Sequence, residues 1–466
     1  MSDNWNLFLD SAQLDSLPPR HWRLPQRVYA RIEAVESDAK SKPLWIRLDG
    51  VDADWFEATL NEQTDVRAYF QSMPLVAIEF DPNVLSMVST ISPLLDLSGN
   101  EFDDIATEDP NLWLELEFGP SGFECEVYWN LTAAPVPAMA RARVARPPAV
   151  AALRKTYDLD RHFSPASATA IQQELSRVGS VDGVVVYDVG QGSAAGLVDH
   201  QCRPLLYADI GGGVTRNRHT FPAALTHFCT CTKAPIVLSH WDWDHWASAG
   251  RGQNKSLRTH TWIAPMQKAV GPSHLSFAQA IQSKGKLLLW ARGTQPPITS
   301  GSLTLERCTA AGRNHSGIAL IVDGPVGKNP ILFSGDARYG AIPSGLGAYD
   351  SVVVPHHGAD MNYRSTPASP GAGHSRAIYS YGPGNTFTGG TGTVSHPAWI
   401  TRTDHDSRGW SDSKVSAVLP WQVRQTEDRS ALSNLGHVYG TWTSVSVTPL
   451  LACGGSPTCD LEPTQH

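Results

Sequence analysis

A chain of 466 residues with 41% hydrophobic and 18% charged side chains is long enough for two or three domains with a sizeable core, and its composition excludes general disorder. No apolar run approaches the roughly 20 residues of a membrane helix, and the N-terminus lacks a basic-then-apolar signal, so a cytoplasmic protein without a membrane partner is expected. The net charge of −8 is uneven: residues 1–150 carry 24 acidic against 11 basic side chains, whereas the remainder is net basic by five and suits an anionic substrate.

In chain order, residues 1–132 read as an acidic, β-rich domain. Val28–Val35 and Pro43–Leu48 are extended runs around a turn at 37–42, and Leu112–Phe118 and Phe123–Trp129 flank Gly-Pro-Ser-Gly as a second hairpin. An acidic, turn-rich stretch lies near 98–111. No metal-type cluster appears in this region, which leaves a protein-partner surface over residues 1–150 as its expected role. Residues 133–164 read as a linker, since 133–150 is rich in Ala, Pro, Val and Arg. A helix is predicted over 165–178 from the spacing of Ile171 and Leu175. From about 181, short apolar strands alternate with Gly-rich loops, so 165–450 is taken as the second domain and 451–466 as a tail. The seven cysteines match no zinc-ribbon spacing and read as reduced thiols, with a Cys453–Cys459 pairing left open.

The densest chemical signal is Ser239-His-Trp-Asp-Trp-Asp-His-Trp246, after the apolar run 234–238. His240 and Asp242 alternate on an extended segment and point the same way, while Asp244 and His245 fall on the following turn. Imidazole suits zinc, and carboxylate oxygens widen the choice toward manganese. The alternative is a tryptophan-rich surface loop with chance polar residues. Other strand ends carry similar groups. Asp188-Val-Gly-Gln-Gly192 offers a carboxylate to orient a ligating histidine from behind. Asp336 after Phe333-Ser-Gly could bridge two cations. Val352-Val-Val-Pro-His356-His357-Gly ends a strand in imidazoles. His315 precedes another strand, and Asn385 and His396-Pro397 belong to a late Gly/Thr-rich loop.

Taken together these motifs resemble the metallo-β-lactamase superfamily, most closely the branch found as the C-terminal domain of the competence protein ComEC. Six motifs of that branch occur in order over residues 184–397, about half of the chain, with Asp at position 242 where most of the superfamily has His. Trp246-Ala247 departs from its usual Gly-Gly, and Ser193 from its usual Asp. The resemblance implies an α+β chain with a four-layer αββα sandwich, preceded here by the β-rich domain. It further implies two divalent cations, Zn2+ or Mn2+. His240 and Asp242 would hold the first, Asp244 and His245 the second, Asp336 both, and His356 would complete the second. His315 and His357 stand as further metal or substrate ligands, and Asp188 as the residue behind them. Asp244, Asn385 and His396 are the candidate catalytic residues, the last two binding a phosphate oxygen or protonating a leaving group. The expected activity is phosphodiester hydrolysis, with a nuclease as the first reading and nucleic acid as its partner. Hydrolysis of a small phosphodiester or carboxylic ester, and a non-catalytic metal-bearing interaction module, are the alternatives.

Overall fold

The computed structural model describes residues 6–9, 23–37, 43–60, 66–80, 107, 109–361, 365–371, 375–385, 396–410, 423–426 and 436–442. The segment 451–466, with Cys453 and Cys459, lies outside them, as do the turn residues 38–42 and most of 98–111. Helices and sheets mix to give an α+β chain. The first sheet has the order β1 (Arg27–Ser37), β2 (Pro43–Asp52), β3 (Leu75–Phe80), β4 (Leu114–Tyr128), β5 (Val136–Val144), all antiparallel. β4 also pairs through Leu114–Glu117 with β1, so the sheet curls around Val28, Ile46, Leu48, Ile78, Leu116 and Val127.

Two expectations change here. Residues 136–144, read as linker, form a strand paired with β4 from Val127 to Leu114. Its core-facing side chains are the small Ala138, Ala140 and Ala142 with Val144, alternating with Met139, Arg141 and Arg143, so an Ala, Pro, Val and Arg composition that reads as linker is that of a half-exposed edge strand. Gly-Pro-Ser-Gly is no hairpin turn. Phe118 and Phe123 both face Ala140, so residues 119–122 loop out of one continuous strand as a long bulge.

The rest of the chain builds two seven-stranded sheets. In one the order is β11 (Lys286–Trp290), β10 (Thr261–Pro265), β9 (Ile236–Val237), β8 (Pro204–Ile210), β7 (Ala194–Val198), β6 (Gly183–Val186), β19 (Val438–Gly440). In the other it is β12 (Ile298–Ser300), β13 (Leu303–Arg307), β14 (Ile318–Val322), β15 (Ile331–Phe333), β16 (Ser351–Val353), β17 (Arg376–Tyr379), β18 (Val423–Gln425). They pack face to face: Val184, Val186, Leu197, Leu206 and Ile263 of the first share a core with Leu305, Leu320, Ile331, Phe333 and Val353 of the second. Burial on both faces explains why these strands read as unbroken apolar runs.

Helices α1 (Ala53–Thr59), α2 (Val66–Ser72), α3 (Pro147–Tyr157), α4 (Leu159–His162), α5 (Ala168–Leu175), α6 (Pro272–Lys284) and α7 (Trp399–Ser407) complete the chain. α5 starts at Ser167, whose side chain accepts the Ala170 N–H, an ordinary N-cap that places the predicted helix over eight residues. α6 covers the outer face of the first large sheet, where Leu275, Phe277 and Ile281 join Ile236, Trp262 and Ala264. His405 of α7 packs on Tyr339 and Tyr379 outside the second. The N-terminal region docks on α6 and the first large sheet in the same core, through Phe56, Phe70 and Met73. Among the described residues, no helix is long and apolar enough to cross a membrane.

Candidate metal centre

β9 is only two residues long, yet it is the hinge of the site. Leu238 N–H donates to Ile263 O (2.8 Å), keeping the chain on the sheet for one more residue. Ser239 then leaves it: its N–H donates to Asp209 Oδ1 (2.7 Å) and its hydroxyl to Asp209 Oδ2 (2.8 Å). Asp242 is extended, and Trp243–His245 form one 3-10 turn. The indoles face the opposite way from the polar side chains. Trp241, Trp243 and Trp246 are buried and their indole N–H groups donate to Pro265 O, Ser273 Oγ and Trp241 O at 2.7–2.9 Å. The tryptophans therefore anchor the motif, and the reading as a surface loop fails.

The anchored turn brings ligand-type atoms from both large sheets together. Asp336 follows β15 and the two histidines follow β16. His245 Nε2 lies 3.1 Å from Asp336 Oδ1, and His240 Nε2 3.6 Å from Asp336 Oδ2. His240 Nε2 is 3.5 Å from Asp242 Oδ2, and His357 Nε2 is 3.2 Å from Asp244 Oδ2. Two groups form within metal-ligand reach: His240, His245 and Asp336, then Asp244, His245 and His357. His240, His245, Asp336 and His357 are buried, and the Nε2 atoms of these histidines and Oδ1 of Asp336 meet no hydrogen-bond partner of acceptable geometry among the described residues. Four such atoms, converging, would cost several kcal/mol if nothing satisfied them.

Their electrostatics are mutual. Burial pushes the Asp336 carboxyl up, but His245, His356, His240 and His357 outweigh it and hold it well below the usual range. For Asp242, burial is likewise overcome, by Arg313 and His240. For Asp244 the opposing groups are His357 and His245, which hold it at about 2. Burial lowers His245, yet Asp336 and Asp209 raise it well above the imidazole range. His357 is raised in the same way by Asp336 and Asp244. The three carboxylates stay ionised because positive charge sits among them.

The structure distributes the sequence candidates unequally. His240, Asp242, Asp244, His245 and Asp336 come together. Of the two later histidines, His357 faces Asp244 and His245, with its Nδ1–H donating to Ser380 O (2.8 Å). His356 is half-buried on the wall, 3.8 Å from Asp336 Oδ2. Both have positive φ, at 47° and 55°, so sequence position alone could not assign which ring turns inward. His315 is buried nearby, and burial, then Arg338 and His356, push it down to about 3. His396 is buried, and not presented to solvent from its loop. Its ring lies against those of His356 and His357, and its Nδ1 bonds Gln191 Nε2 (2.8 Å). Asn385 donates to His396 O (3.1 Å), so it steadies this residue from behind. Asp188 accepts the N–H groups of Gly190 and Gly436 (both 3.2 Å), tying its own turn to β19. The carboxylate that orients a site histidine is Asp209, which accepts from His245 Nδ1–H (2.8 Å). It was signalled only by a lone Asp at a strand end before Ile-Gly-Gly-Gly.

The acidic N-terminal region reaches the site, contrary to expectation. A bulge between Ile32 and Ala34 throws Glu33 out of the β1–β2 ladder. Its carboxylate accepts the Trp243 N–H (3.1 Å) and lies 2.6 Å from His274 Nε2 and 3.0 Å from Arg313 Nη2. Arg313 in turn bonds Asp242 through Nε. Asp49 of β2 caps α6, accepting from Ser273 N–H (3.0 Å) and Oγ–H (2.7 Å). A narrow cleft opens over the metal-type cluster, with about 20 Å³ of free room, roughly that of a single water. Ala34, Val35 and Arg47 of the first sheet wall it opposite Asp242, Asp244, Asp336 and His356, with Gln191, Asn217 and Asn314 on its rim.

No family model matches the chain, and no curated protein matches it. Among solved structures it is similar to a mutant of the β-hydroxylase CmlA, at 12% identity over 38% of this chain and 36% of that one, with a TM-score of 0.23. It is also similar to a long-form RNase Z from yeast, at 12% identity over 52% of this chain and 40% of that one, with a TM-score of 0.23.

Proposed function

We propose that this chain is a metallo-β-lactamase-type hydrolase with a binuclear centre that cleaves phosphodiesters. The observation that carries the reading is the convergence of unbonded, buried Nε2 atoms of His240, His245 and His357 on the carboxylates of Asp336 and Asp244. These residues fit divalent cations: nitrogen and oxygen donors, inward-facing, with a carboxylate behind one imidazole. His240, Asp242 and Asp336 would hold one cation, and Asp244, His245, His357 and Asp336 the other. Zn2+ or Mn2+ there supplies Lewis acidity and lowers the pKa of water for attack on phosphorus.

The chain's own residues do the rest. Asp209 keeps His245 Nε2 pointed into the site by accepting a hydrogen bond from Nδ1–H. Arg313 and Glu33 hold Asp242 and the Trp243 backbone in register. Arg47 lies on the cleft wall, its guanidinium stacked on Trp45 and paired with Glu79 (3.4 Å), so it lends the wall a charge already balanced by a carboxylate. His396, stacked behind His356 and His357, acts through Gln191 and those rings, not as an exposed general acid.

A nuclease remains one form of this activity. The roofing of the cleft by Ala34 and Val35 favours a small phosphodiester or a single strand over a duplex, because a roughly 20 Å duplex needs an open, basic surface. The test is elemental analysis of protein purified without chelator, followed by assays on a bis-aryl phosphate, single-stranded DNA, duplex DNA and RNA. About two cations per chain and metal-dependent turnover of the bis-aryl phosphate are expected. Absence of both metals, with no uptake on adding zinc or manganese, would end the proposal.

A further inference from the structure

A second cavity, of about 420 Å³, shares no lining residue with the metal cleft. It opens beyond the carboxyl ends of the parallel strands β10 and β11, against the end of β13 in the opposite sheet. That position collects loops around a ligand in open α/β sheets. Its lining includes Lys268, Arg292 and Arg307, with Gln267, Thr294 and Ser316 as neutral polar groups and no carboxylate among the described lining residues.

Arg307 is the informative member. It is 3% exposed, and its Nε and Nη1 have no hydrogen-bond partner among the described residues. A guanidinium is expensive to bury without an anion. Burial pushes its pKa down to about 10, Cys308 opposes this, and Arg292 adds to it. Arg292 donates from Nη1 to exposed Asp160 (3.1 Å) and from Nη2 to Gln267 O (3.0 Å), and its Nε has no partner among the described residues. Lys268 is exposed at the rim and adds a third cation. A core arginine with aliphatic neighbours would have its donors capped by carbonyls, as Arg258 does with Ala249 O and Leu9 O. Arg307 instead lines the cavity beside two more cations, with its Nε and Nη1 sealed in and unmet among the described residues.

We infer that this cavity is a binding site for a small phosphoryl anion, a phosphate ester or diphosphate, separate from the metal cleft. The Arg307 guanidinium is the group suited to phosphoryl oxygens, the Arg292 guanidinium adds positive charge although its Nη1 and Nη2 are engaged, and Lys268 adds a point charge. Three cations against one exposed carboxylate call for at least a dianion. Gln267 forms the wall between the two sites. Its Nε2 donates to Arg313 O (2.6 Å) and Ser316 Oγ (2.9 Å), and its Oε1 accepts the Trp241 N–H (3.3 Å).

The inference does not depend on the hydrolase reading, and its test keeps the two apart. The full chain, stripped of divalent metal and held in chelator, is titrated calorimetrically with inorganic pyrophosphate and, separately, inorganic phosphate. Pyrophosphate should bind with a Kd tighter than about 1 mM and more tightly than phosphate. Arg307→Met should weaken it at least about tenfold while raising the melting temperature of the ligand-free protein, because it removes an uncompensated buried charge. Lys268→Ala, at an exposed position that cannot upset folding, should weaken it several-fold and decides the matter if Arg307→Met is insoluble. Asp336→Asn should leave the affinity unchanged. No binding at about 10 mM pyrophosphate, equal affinity in the wild type and Lys268→Ala, or loss of binding in Asp336→Asn would each overturn the inference.

Discussion

The two large sheets follow one plan but hold their chemistry differently. Each runs through three antiparallel pairings and then three parallel ones. In each, the strand at the change carries an aspartate just inside or beyond its end: Asp209 in β8, Asp336 after β15. The next parallel strand then delivers histidines: His240 and His245 after β9, His356 and His357 after β16. The equivalence ends there. Asp209 is fully engaged with Ser239 and His245, whereas Asp336 Oδ1 is unbonded and faces imidazoles. In the first sheet the loop is held by side chains, three indoles, Asp209 and Glu33. In the second it is held by backbone, with positive φ at Gly335, His356, His357 and Gly358. The repeated framework thus gives one half whose aspartate supports and one whose aspartate would ligate, while both halves turn histidines toward the site.

The largest effect should come from Asp336→Asn. It keeps the shape and removes the charge that both cations would share in the proposed centre. Hydrolysis of a bis-aryl phosphate should fall by about a thousandfold or more with circular dichroism unchanged. Wild-type turnover in that variant would mean that the second sheet's aspartate does not ligate at all.

Next comes Glu33→Ala, which tests the bracing of the first sheet's loop. It strips the carboxylate from Arg313, His274 and the Trp243 N–H in a buried place. Removing one partner of such a group costs about 3–5 kcal/mol, read as a lower denaturation midpoint. A midpoint within error of wild type would show that Arg313 is satisfied by Asp242 alone. For the same reason a chain starting near residue 151 should be insoluble, since α6 and β9 would lose the core they share with Phe56, Phe70 and Met73.

Gly335→Ala probes the backbone-held loop. Gly335 has φ 56°, and a Cβ there would lie 2.5 Å from Ser239 Cβ. The left-handed conformation alone costs about 1–2 kcal/mol for a residue with a side chain. Ser239 cannot yield without leaving Asp209, so turnover should fall together with stability. Unchanged activity would show that this loop tolerates displacement.

How much of this was legible in the sequence depends on how locally it is encoded. The motif at 239–246 announces itself because an apolar strand, paired ligand types and bulky anchors fall within eight residues. Asp336 and the His356-His357 pair are legible for the same reason, as ligand-type residues right after apolar strands. Which histidine turns inward was not, since both sit at positive φ and adjacent rings diverge. Glu33 was invisible because it acts through a bulge in a strand 210 residues before Trp243, and a bulge shifts alternation by one place. β5 was hidden because its core-facing residues are mostly alanines, whose alternation with arginine carries little apolar bulk. The shared plan of the two sheets leaves no repeat in the sequence, because pairing pattern is set by burial and not by residue identity.

Asp209→Asn is the smallest effect and the sharpest test of the division between supporting and ligating halves. Asn keeps an oxygen to accept from Ser239 or His245, but it has one acceptor where three donors now arrive: Ser239 N–H, Ser239 Oγ–H and His245 Nδ1–H. One donor loses its partner, and the imidazole loses the negative charge that makes Nε2 a better base. Carboxylates behind a ligating histidine typically contribute 10–100-fold in metal affinity, roughly 1.4–2.7 kcal/mol. The variant should therefore be sluggish at limiting metal and recover most of its turnover when zinc or manganese is raised. Asp336→Asn should not recover at any concentration, because it lacks a ligand and not merely a brace. A metal titration on both variants reads the difference directly. If Asp209→Asn behaves like Asp336→Asn, the aspartate of the first sheet is itself a ligand and the asymmetry disappears. If it behaves like wild type even at limiting metal, Ser239 and the three tryptophans suffice to aim His245, and the support lies in packing and not in charge.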